Sequence, residues 1–478
     1  MANHQTSSEF TQLAVIGAGP GGYAAAFLAA DLGMQVHLID PEPNPGGVCL
    51  YRGCIPSKTL LHVAKLLNET REAREMGVTY SEPQIDLKKL RAWKNDVVGK
   101  LTGGLGQLVR RRRINYLQGR AVFKDSRTLQ VLTVQGEKFQ FSFSHAIIAT
   151  GSRPVALPTL TIDSPNIMNS TAALELENVP ETLLIIGGGY IGLEMGMVYA
   201  ALGSKVSVVE MLPGILPGAD RDLVKILQKS LEHRFEDILI NTRVVDMKAV
   251  KDGVKVRLEG EVGGSSERKF QKVIVSIGRK PNTENLGLEN TRVELDERGF
   301  IVVDEQRRTT ESSIFAIGDV AGEPMLAHKA SHEGRVAVEA MAGHKVAFEP
   351  GAIPAVVFTD PEVAWCGLTE TEAEKLGRTV EVTRFPWGAS GRALTMKRTD
   401  GLTKLIIDPQ TERVLGMGIV GVGAGELIAE GVLAIEMAAL AGDLKLTIHA
   451  HPTLSETVME AAEMYFGQST HVYRPKKK

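Results

Sequence analysis

The sequence lacks the features that mark several large classes of protein. Only three cysteines occur among 478 residues, which argues against a disulfide-stapled fold. The formal net charge of −3 offers no electrostatic footprint for nucleic acid or an anionic membrane. No run of about eighteen apolar residues predicts a membrane span, and residues 1–12 have the layout of neither a secretory signal nor a transit peptide. We therefore expect a cytoplasmic protein that binds neither nucleic acid nor membrane.

The length and composition are those of a large globular protein. A chain of 478 residues exceeds what one hydrophobic core supports, so we expect several domains. The hydrophobic content of 43% and the charged content of 23% are ordinary for a folded globular chain.

Two segments repeat the order strand, glycine-rich turn, helix, strand and terminal acid. The first contains Gly17, Gly19, Gly22 and Asp40, and the second contains Gly187, Gly189, Tyr190, Ile191, Gly192 and Glu210. In both, the acid follows the first glycine by 23 residues (17 to 40 and 187 to 210). This spacing suits a dinucleotide, because the glycines admit a pyrophosphate to a helix N-terminus and the acid accepts hydrogen bonds from ribose. We predict two dinucleotide sites.

The two sites need not take the same cofactor. Glu210 is followed by Met211, Leu212 and Pro213, with no lysine or arginine close by. A carboxylate repels a 2′-phosphate, so the second site should prefer NAD over NADP. The first site lies close in sequence to two thiols, which makes it the natural position for a flavin.

Those thiols are Cys49 and Cys54, just downstream of the first glycine turn. On an ideal helix, residues five apart have Cα atoms roughly 8–9 Å apart, whereas a disulfide needs about 4.4–6.8 Å. The pair can therefore bond only where the backbone departs from a regular helix, and Gly53 makes such a departure easy. A thiol pair beside a cofactor site indicates redox use, with a structural disulfide or chance spacing as the alternative.

Two further places carry candidate polar residues. Asp319 follows a predicted strand and could accept from a sugar-like hydroxyl, although Gly-Asp is also a common turn pair. His451 precedes Glu456 by five residues, so the two could form an imidazole–carboxylate pair that moves protons on and off a thiol. The alternative is an exposed histidine and an acid that supports a helix start.

Taken together, Gly-Gly-x-Cys-x4-Cys-Ile-Pro-Ser-Lys and His-Pro-Thr-x-Ser-Glu resemble the flavoprotein disulfide reductases, the class I pyridine nucleotide-disulfide oxidoreductases. The resemblance covers about residues 13–466 and is strongest to members that oxidise dihydrolipoamide in 2-oxoacid dehydrogenase complexes. It implies an α/β fold with two Rossmann-like dinucleotide-binding domains, for FAD and NAD, and a C-terminal α+β dimerisation domain. The expected boundaries are 1–155 and 282–352 for the FAD-binding parts, 156–281 for the NAD-binding domain and 353–478 for the dimerisation domain.

The resemblance also implies roles for single residues. Cys49 would be the thiol that meets the substrate, and Cys54 the charge-transfer thiolate against the flavin. Lys58 would lie near the flavin and pair with Glu194. His451 would be the acid–base catalyst, oriented by Glu456 and donated across a homodimer. The implied FAD contacts further include Ala121, Gly151, Asp319 and Ala327, and the implied NAD contacts include Val244 and Gly278. No metal is expected, and lipoyl domains and an acyltransferase core would be the partners.

Departures from the family pattern and rival assignments are few. Asp40 stands where relatives commonly have Glu, and its shorter carboxylate still reaches ribose. Glutathione-type reductases usually prefer NADP, which Glu210 argues against. Mercuric reductases carry an extra C-terminal cysteine pair that residues 473–478 do not contain, and soluble transhydrogenases lack the redox pair that this chain has. Another reductase of the same fold, of the glutathione or mercuric type, is the alternative within the family. An alternative outside the enzymes is a flavin-bearing structural or docking subunit whose catalysis is incidental. Cys366 is most simply a small buried side chain, and His449 receives no role.

Overall fold

The computed structural model describes residues 9–155, 164–260 and 264–473. The strands, in chain order, are β1 Glu9–Ile16, β2 Val36–Asp40, β3 Asn115–Asp125, β4 Thr128–Thr133, β5 Lys138–Ile148, β6 Ser152–Pro154, β7 Ile167–Met168, β8 Thr182–Ile186, β9 Lys205–Val209, β10 Asp237–Leu239, β11 Thr242–Val250, β12 Gly253–Gly260, β13 Gly264–Phe270, β14 Lys272–Val275, β15 Arg279–Pro281, β16 Ile314–Ala316, β17 Ala355–Val357, β18 Glu362–Gly367, β19 Glu381–Pro386, β20 Leu402–Ile407 and β21 Val414–Gly421.

The helices are α1 Pro20–Asp31, α2 Gly47–Arg52, α3 Cys54–Glu72, α4 Leu87–Arg111, α5 Ser170–Glu175, α6 Tyr190–Ala201, α7 Arg221–Glu232, α8 Ala327–Met341, α9 Glu370–Lys375, α10 Gly391–Thr395, α11 Ala424–Glu436, α12 Ala441–Leu446 and α13 Glu456–Tyr465. Among the described residues, no helix combines the length and apolar character needed to cross a membrane.

The described residues group into two compact units. The first unit comprises the described residues within 1–59, 86–155 and 278–349, and the second unit comprises those within 60–85, 156–277 and 350–478. The chain returns to the first unit at Gly278, four residues before the expected boundary at 282 (282 − 278 = 4). The second unit contains both the second glycine turn and the C-terminal region, so the finer four-segment division stays a prediction.

The first unit is built on a parallel sheet whose strands run in the order β3-β2-β1-β5-β16. Residues 13–16 of β1 and all of β2 are buried, because parallel sheets are covered on both faces. Strands β3 and β5 are eleven residues long, and their other halves pair with β4 as an antiparallel meander. The turn after β1 thus opens at the carboxyl edge of the parallel sheet, where α/β proteins bind ligands.

Helices α1 and α8 lie close together on this sheet because small residues face each other. A Cβ on Gly334 would come within 2.8 Å of the Gly21 carbonyl oxygen. The Ser331 hydroxyl also donates to the carbonyl of Pro20 at 3.2 Å. Helix α8 therefore supports the start of α1, which follows the first glycine turn.

The second unit contains a parallel sheet in the order β10-β9-β8-β14-β7, a meander β11-β12-β13, and an antiparallel sheet in the order β17-β18-β21-β20-β19. Helix α6 follows β8 as α1 follows β1, which is the repeat that the sequence shows. Helices α11 and α13 pack on the antiparallel sheet through a core that includes Trp387, Met417 and Ile428.

A buried ion cluster joins α7 to the antiparallel sheet of the second unit. The Lys404 ammonium has no solvent exposure and lies 2.7 Å from Asp220, 3.0 Å from Asp222 and 2.7 Å from Glu370. Arg384 pairs with Asp222 at 2.6 Å and also with Glu370. Because the ammonium occupies the space between the three carboxylates, the cluster is an ion-pair network.

Candidate active site

The two thiols lie where one short helix ends and a longer one begins. Cys49 is in α2 and Cys54 is the first residue of α3, with Gly53 between the helices. A Cβ on Gly53 would come within 2.9 Å of the Val48 carbonyl oxygen. The departure from a regular helix that the sequence analysis required is therefore present, and it occurs at Gly53. Cys49 is half-buried and Cys54 is exposed.

The two thiols are electrostatically coupled. A side-chain hydrogen bond to Cys54, followed by burial, raises the pKa of Cys49, while the charge of Lys58 opposes this shift. A dithiol in such contact loses its second proton reluctantly, because two thiolates would repel each other. The two sulfurs are therefore close enough for each to influence the ionisation of the other, as a redox pair requires.

Tyr23 is a site residue that the sequence analysis missed. It lies on α1, and its pKa is raised by burial and then by the charges of Cys49 and Cys54. Its ring packs against Phe27 with centroids 5.8 Å apart. The only sequence signal was its position just after the first glycine turn.

The thiol segment rests directly on the first glycine loop (Gly17–Gly22). The Gly46 N–H donates to the Ala18 carbonyl at 2.8 Å, and a Cβ on Gly47 would come within 2.5 Å of the Gly19 Cα. Gly47 has φ of +56°, in the left-handed region that glycine favours. The first unit therefore places the dithiol against the loop predicted to hold a flavin.

The first glycine loop has the shape that a pyrophosphate needs. Gly17 has φ of +100°, and a Cβ there would come within 2.3 Å of the Ala149 carbonyl oxygen. At Gly19, which precedes α1, the nearest described atom to a Cβ would be 3.9 Å away. The backbone N–H groups at the helix start face this open side, so the residues fit a dinucleotide.

The predicted acid of this loop is held by backbone. Asp40 accepts from Ala18 N–H at 2.7 Å and from Glu42 N–H at 3.0 Å, and it is buried. Burial raises the pKa of Asp40, and both N–H donors oppose that shift. Asp40 therefore orients the loop, and its contact with a ribose stays a prediction.

The second glycine loop (Gly187–Gly192) reproduces this arrangement in the second unit. Gly187 has φ of +106°, and a Cβ on Gly189 would meet no described atom within 4 Å. Glu210 accepts from Gly188 N–H and Leu212 N–H, each at 2.7 Å. The two loops thus share a left-handed first glycine, an open side at the helix start and an acid held by two backbone N–H groups. The second loop therefore also fits a dinucleotide.

Asp319 lies in the turn between β16 and α8 of the first unit. It accepts from the Ser152 hydroxyl, which itself accepts from Arg279 Nε at 2.7 Å. Arg279 also donates to the Ser152 carbonyl at 2.7 Å. The aspartate is therefore oriented by a polar chain, which argues against a simple turn residue, and its ribityl contact stays a prediction.

The predicted acid–base pair forms in the second unit. His451 Nδ1 lies 2.9 Å from Glu456 Oε1, and Thr453 N–H donates to Glu456 Oε2 at 2.7 Å. Burial opposes ionisation of Glu456, but Thr453 and His451 lower its pKa overall. The His451 side chain is 75% exposed, so its Nε2 is accessible to a thiol from outside the unit.

The other predicted positions occupy varied surroundings. Ala121 is buried in the middle of β3, and Val244 is half-buried in β11. Gly151 and Gly278 have φ of +70° and +122°, and Ala327 begins α8. These cofactor contacts remain predictions.

Glu194 and Lys58 fall in different units, so their pairing also remains a prediction. Glu194 is buried on α6 and accepts from Phe358 N–H at 3.0 Å. The third cysteine, Cys366, is buried in the core, and burial raises its pKa to about 12. It is the buried side chain that the sequence analysis expected.

Two dinucleotide loops and a dithiol lying on the first of them define a nucleotide-dependent disulfide oxidoreductase. The comparisons with known proteins agree. The family model described as pyridine nucleotide-disulphide oxidoreductase matches residues 11–334, and the dimerisation domain of that family matches residues 353–462.

Relatives match almost the whole chain. A dihydrolipoyl dehydrogenase from Haemophilus influenzae is 49% identical, with 98% of each chain covered, and one from Thermus scotoductus is 46% identical, covering 96% of this chain and 98% of that one. The crystal structure of LpdA from Mycobacterium tuberculosis has a TM-score of 0.88 at 27% identity, covering 95% of this chain and 99% of that one. The structure of the HOCl-induced flavoprotein disulfide reductase RclA from Escherichia coli has a TM-score of 0.84 at 29% identity, with 95% and 99% covered.

The chain belongs to the pyridine nucleotide-disulphide oxidoreductase family. It is an FAD-dependent oxidoreductase that uses NAD, and its dimerisation domain makes it a homodimer. The predicted family, fold class, enzyme class and cofactors are thereby confirmed.

Proposed function

We propose that this chain is a dihydrolipoyl dehydrogenase, which oxidises protein-bound dihydrolipoamide to lipoamide and reduces NAD⁺ to NADH. The observation that carries the proposal is the Cys49–Cys54 couple lying on the first glycine loop. The name shared by relatives at 45–49% identity supports the same substrate. Its partners would be lipoyl domains and the acyltransferase core of a 2-oxoacid dehydrogenase complex. A reducing cytoplasm suits a dithiol that must cycle.

The first half of the reaction is thiol–disulfide exchange. A substrate thiolate attacks Cys49 of the oxidised pair, forms a mixed disulfide and releases the Cys54 thiolate. The second substrate sulfur then displaces Cys49, so the substrate gains a disulfide and the enzyme gains two thiols. His451 accepts the substrate proton at Nε2, because its Nδ1 faces Glu456.

FAD, when bound, carries the two electrons from the dithiol to the nicotinamide. Gly17, Gly19 and Asp40 would hold its nucleotide part, and Asp319 its ribityl chain. The protein contributes orientation, since Ser152 and Arg279 fix Asp319 and the thiol segment rests on the glycine loop.

Steady-state assays test the proposed activity. The purified protein should reduce NAD⁺ with dihydrolipoamide and should be nearly inactive with glutathione disulfide and NADPH. Cys54→Ser should abolish dihydrolipoamide turnover while flavin stays bound, because the couple can no longer close. Full turnover by Cys54→Ser would favour the docking-subunit alternative, and the opposite substrate preference would favour a glutathione-type reductase.

Cofactor preference is tested at Glu210. Because this carboxylate also accepts two loop N–H groups, Glu210→Ala alone should weaken both nucleotides. Adding Met211→Arg, at an exposed position, supplies a cation for a 2′-phosphate. The ratio of kcat/KM for NAD⁺ to that for NADP⁺ should fall by about tenfold or more, equivalent to about 1.4 kcal/mol. An unchanged ratio in the double variant would show that Glu210 does not discriminate.

A further inference from the structure

His449 shares a loop with His451 but has the opposite exposure. The loop covers residues 447–455, between α12 and α13. Ile448 is 95% exposed and the His451 side chain 75% exposed, whereas the His449 side chain is only 5% exposed. Within one subunit most of this loop is therefore exposed, and the buried imidazole is an exception that needs a cause.

The cause is a pair of hydrogen bonds on the two ring nitrogens. Nε2 lies 2.7 Å from Glu430 Oε1, and Nδ1 lies 2.9 Å from the Thr447 carbonyl oxygen. A carbonyl only accepts, so Nδ1 carries a hydrogen. Nε2 lies within hydrogen-bond distance of the Glu430 carboxylate, so both ring nitrogens have a partner within the protein. Hydrogen bonds to a carboxylate are shorter and stronger than those between two neutral groups.

Glu430 is a firm point of attachment because its helix cannot shift easily. On α11, Ile428 and Ala434 are buried in the core of the second unit. A Cβ on Gly431, the residue after Glu430, would come within 2.7 Å of Met417 Sδ. The bond from His449 therefore ties the exposed loop to a helix that is packed against strand β21.

The other end of the loop is tied separately. Glu456, the first residue of α13, binds His451 and the Thr453 N–H, and the Thr453 hydroxyl donates to the Ala450 carbonyl at 2.7 Å. These bonds orient the imidazole of His451 relative to α13. They leave the upstream part of the loop to be held by the bonds of His449, which is two residues, or at most about 7 Å, from His451.

We propose that His449, through Glu430, is a positioning residue that fixes the backbone carrying the acid–base catalyst His451. The inference rests on the proposed function, since it assigns His451 the proton of dihydrolipoamide. His449 takes no proton from substrate, because both of its ring nitrogens are engaged within the protein. Without it, the loop would pivot about the Glu456 attachment, and His451 would lose its alignment with the thiol.

The test compares His449→Phe, which keeps a buried ring but removes both hydrogen bonds, with His449→Gln, whose amide can still donate to Glu430. Because misplacing a catalytic group by about 1 Å can cost about 100-fold, His449→Phe should lower kcat for dihydrolipoamide by about 10- to 100-fold. His449→Gln should recover most of that loss. Reduction of ferricyanide by NADH, which moves no substrate thiol proton, should stay within about twofold, since it does not use His451.

A partner variant and a matched control complete the design. Glu430→Leu breaks the same bond from the helix side, and the double variant should be no slower than either single variant, as expected for one shared interaction. Lys397→Met removes an ion pair elsewhere in this unit, that with Glu75, and should keep normal kcat. Sedimentation of each variant reports the dimer.

The outcomes separate the two proposals. If the unaltered protein does not turn over dihydrolipoamide, the proposed function fails. If it does and His449→Phe keeps normal kcat, the positioning role is refuted. If His449→Phe lowers dihydrolipoamide oxidation and ferricyanide reduction equally, or is no longer a dimer, the role of His449 is structural and the positioning role is refuted. The exception is a Glu430→Leu protein that stays dimeric and loses only dihydrolipoamide oxidation, which would support the positioning role.

Discussion

Replacing Glu333 by Gln should weaken flavin binding without touching any predicted flavin contact. Glu333 lies on α8 and has no solvent exposure. One carboxylate oxygen accepts from Gly318 N–H at 2.6 Å, and the other lies 2.9 Å from Lys329 and 3.1 Å from Arg307. Lys329 also donates to the Gly322 carbonyl at 3.2 Å. The turn that carries Asp319 is therefore held at both ends by one buried network.

The expected magnitude follows from what Gln cannot replace. A Gln side chain retains a polar oxygen but leaves the buried Lys329 and the half-buried Arg307 without a countercharge. Breaking a buried ion pair in this way costs about 3–5 kcal/mol. If the turn relaxes only when flavin is absent, about half of that cost should appear in flavin affinity, which corresponds to roughly 10- to 100-fold. The rest should appear as lower stability of the holoprotein.

The assay is titration of stripped protein with FAD, followed by quenching of flavin fluorescence, together with urea unfolding of the holoprotein. Glu339→Gln on the same helix is the control, since Glu339 makes no ion pair within the described residues. We expect the control to match the unaltered protein in both measurements. A Glu333→Gln protein that binds FAD within threefold of normal, with an unchanged unfolding midpoint, would refute this account of the turn.

Three further changes test other parts of the structure. Gly22→Ala should abolish FAD binding, because the new Cβ would come within 1.9 Å of the Gly17 carbonyl oxygen. The control is Gly103→Ala, in open space within α4, which should be neutral or should stabilise the protein by about 0.5–1 kcal/mol. The absorbance of the flavin that remains bound after dialysis distinguishes the two variants. Lys404→Met should destabilise the second unit by about 3–5 kcal/mol in urea unfolding at neutral pH. The carboxylates around Lys404 include two whose pKa is lowered, so their contribution is present above about pH 4 and disappears as the pH falls through their folded pKa. The difference in the free energy of unfolding between Lys404→Met and the unaltered protein should therefore become smaller at acidic pH. A difference that does not change with pH would contradict the stabilising role of these ion pairs.

The local features of the site were readable from sequence because short-range sterics dictate them. The two glycine loops, their helices and the acids after the second strands all depend on contacts within one strand–turn–helix unit. The helix break at Gly53 is likewise a local matter, since five residues in a regular helix cannot bring two sulfurs together. Such features need no knowledge of the tertiary fold.

The supporting polar residues were not readable because their partners are far apart in the chain. Ser152 and Asp319 are 167 positions apart, and Arg279 reaches Ser152 across 127 positions. Glu333 meets Arg307 through a turn that has no sequence signature. Only the fold brings these groups together, and a buried glutamate in a helix otherwise resembles any solvent-facing acid in sequence.

The acids of the two glycine loops show how a fold sharpens what a motif only suggests. In each acid, one carboxylate oxygen accepts from an N–H group inside the glycine loop and the other accepts from the N–H group two residues further along the chain. The donors are Ala18 and Glu42 for Asp40, and Gly188 and Leu212 for Glu210. Every carboxylate oxygen has a second lone pair, so acceptance from ribose remains available. Because both of its oxygens accept hydrogen bonds from the backbone, the carboxylate of Glu210 cannot rotate away when a 2′-phosphate approaches. We therefore expect the preference for NAD to depend on the rigidity of the acid as much as on its charge, and a second, compensating cation should be needed to change that preference.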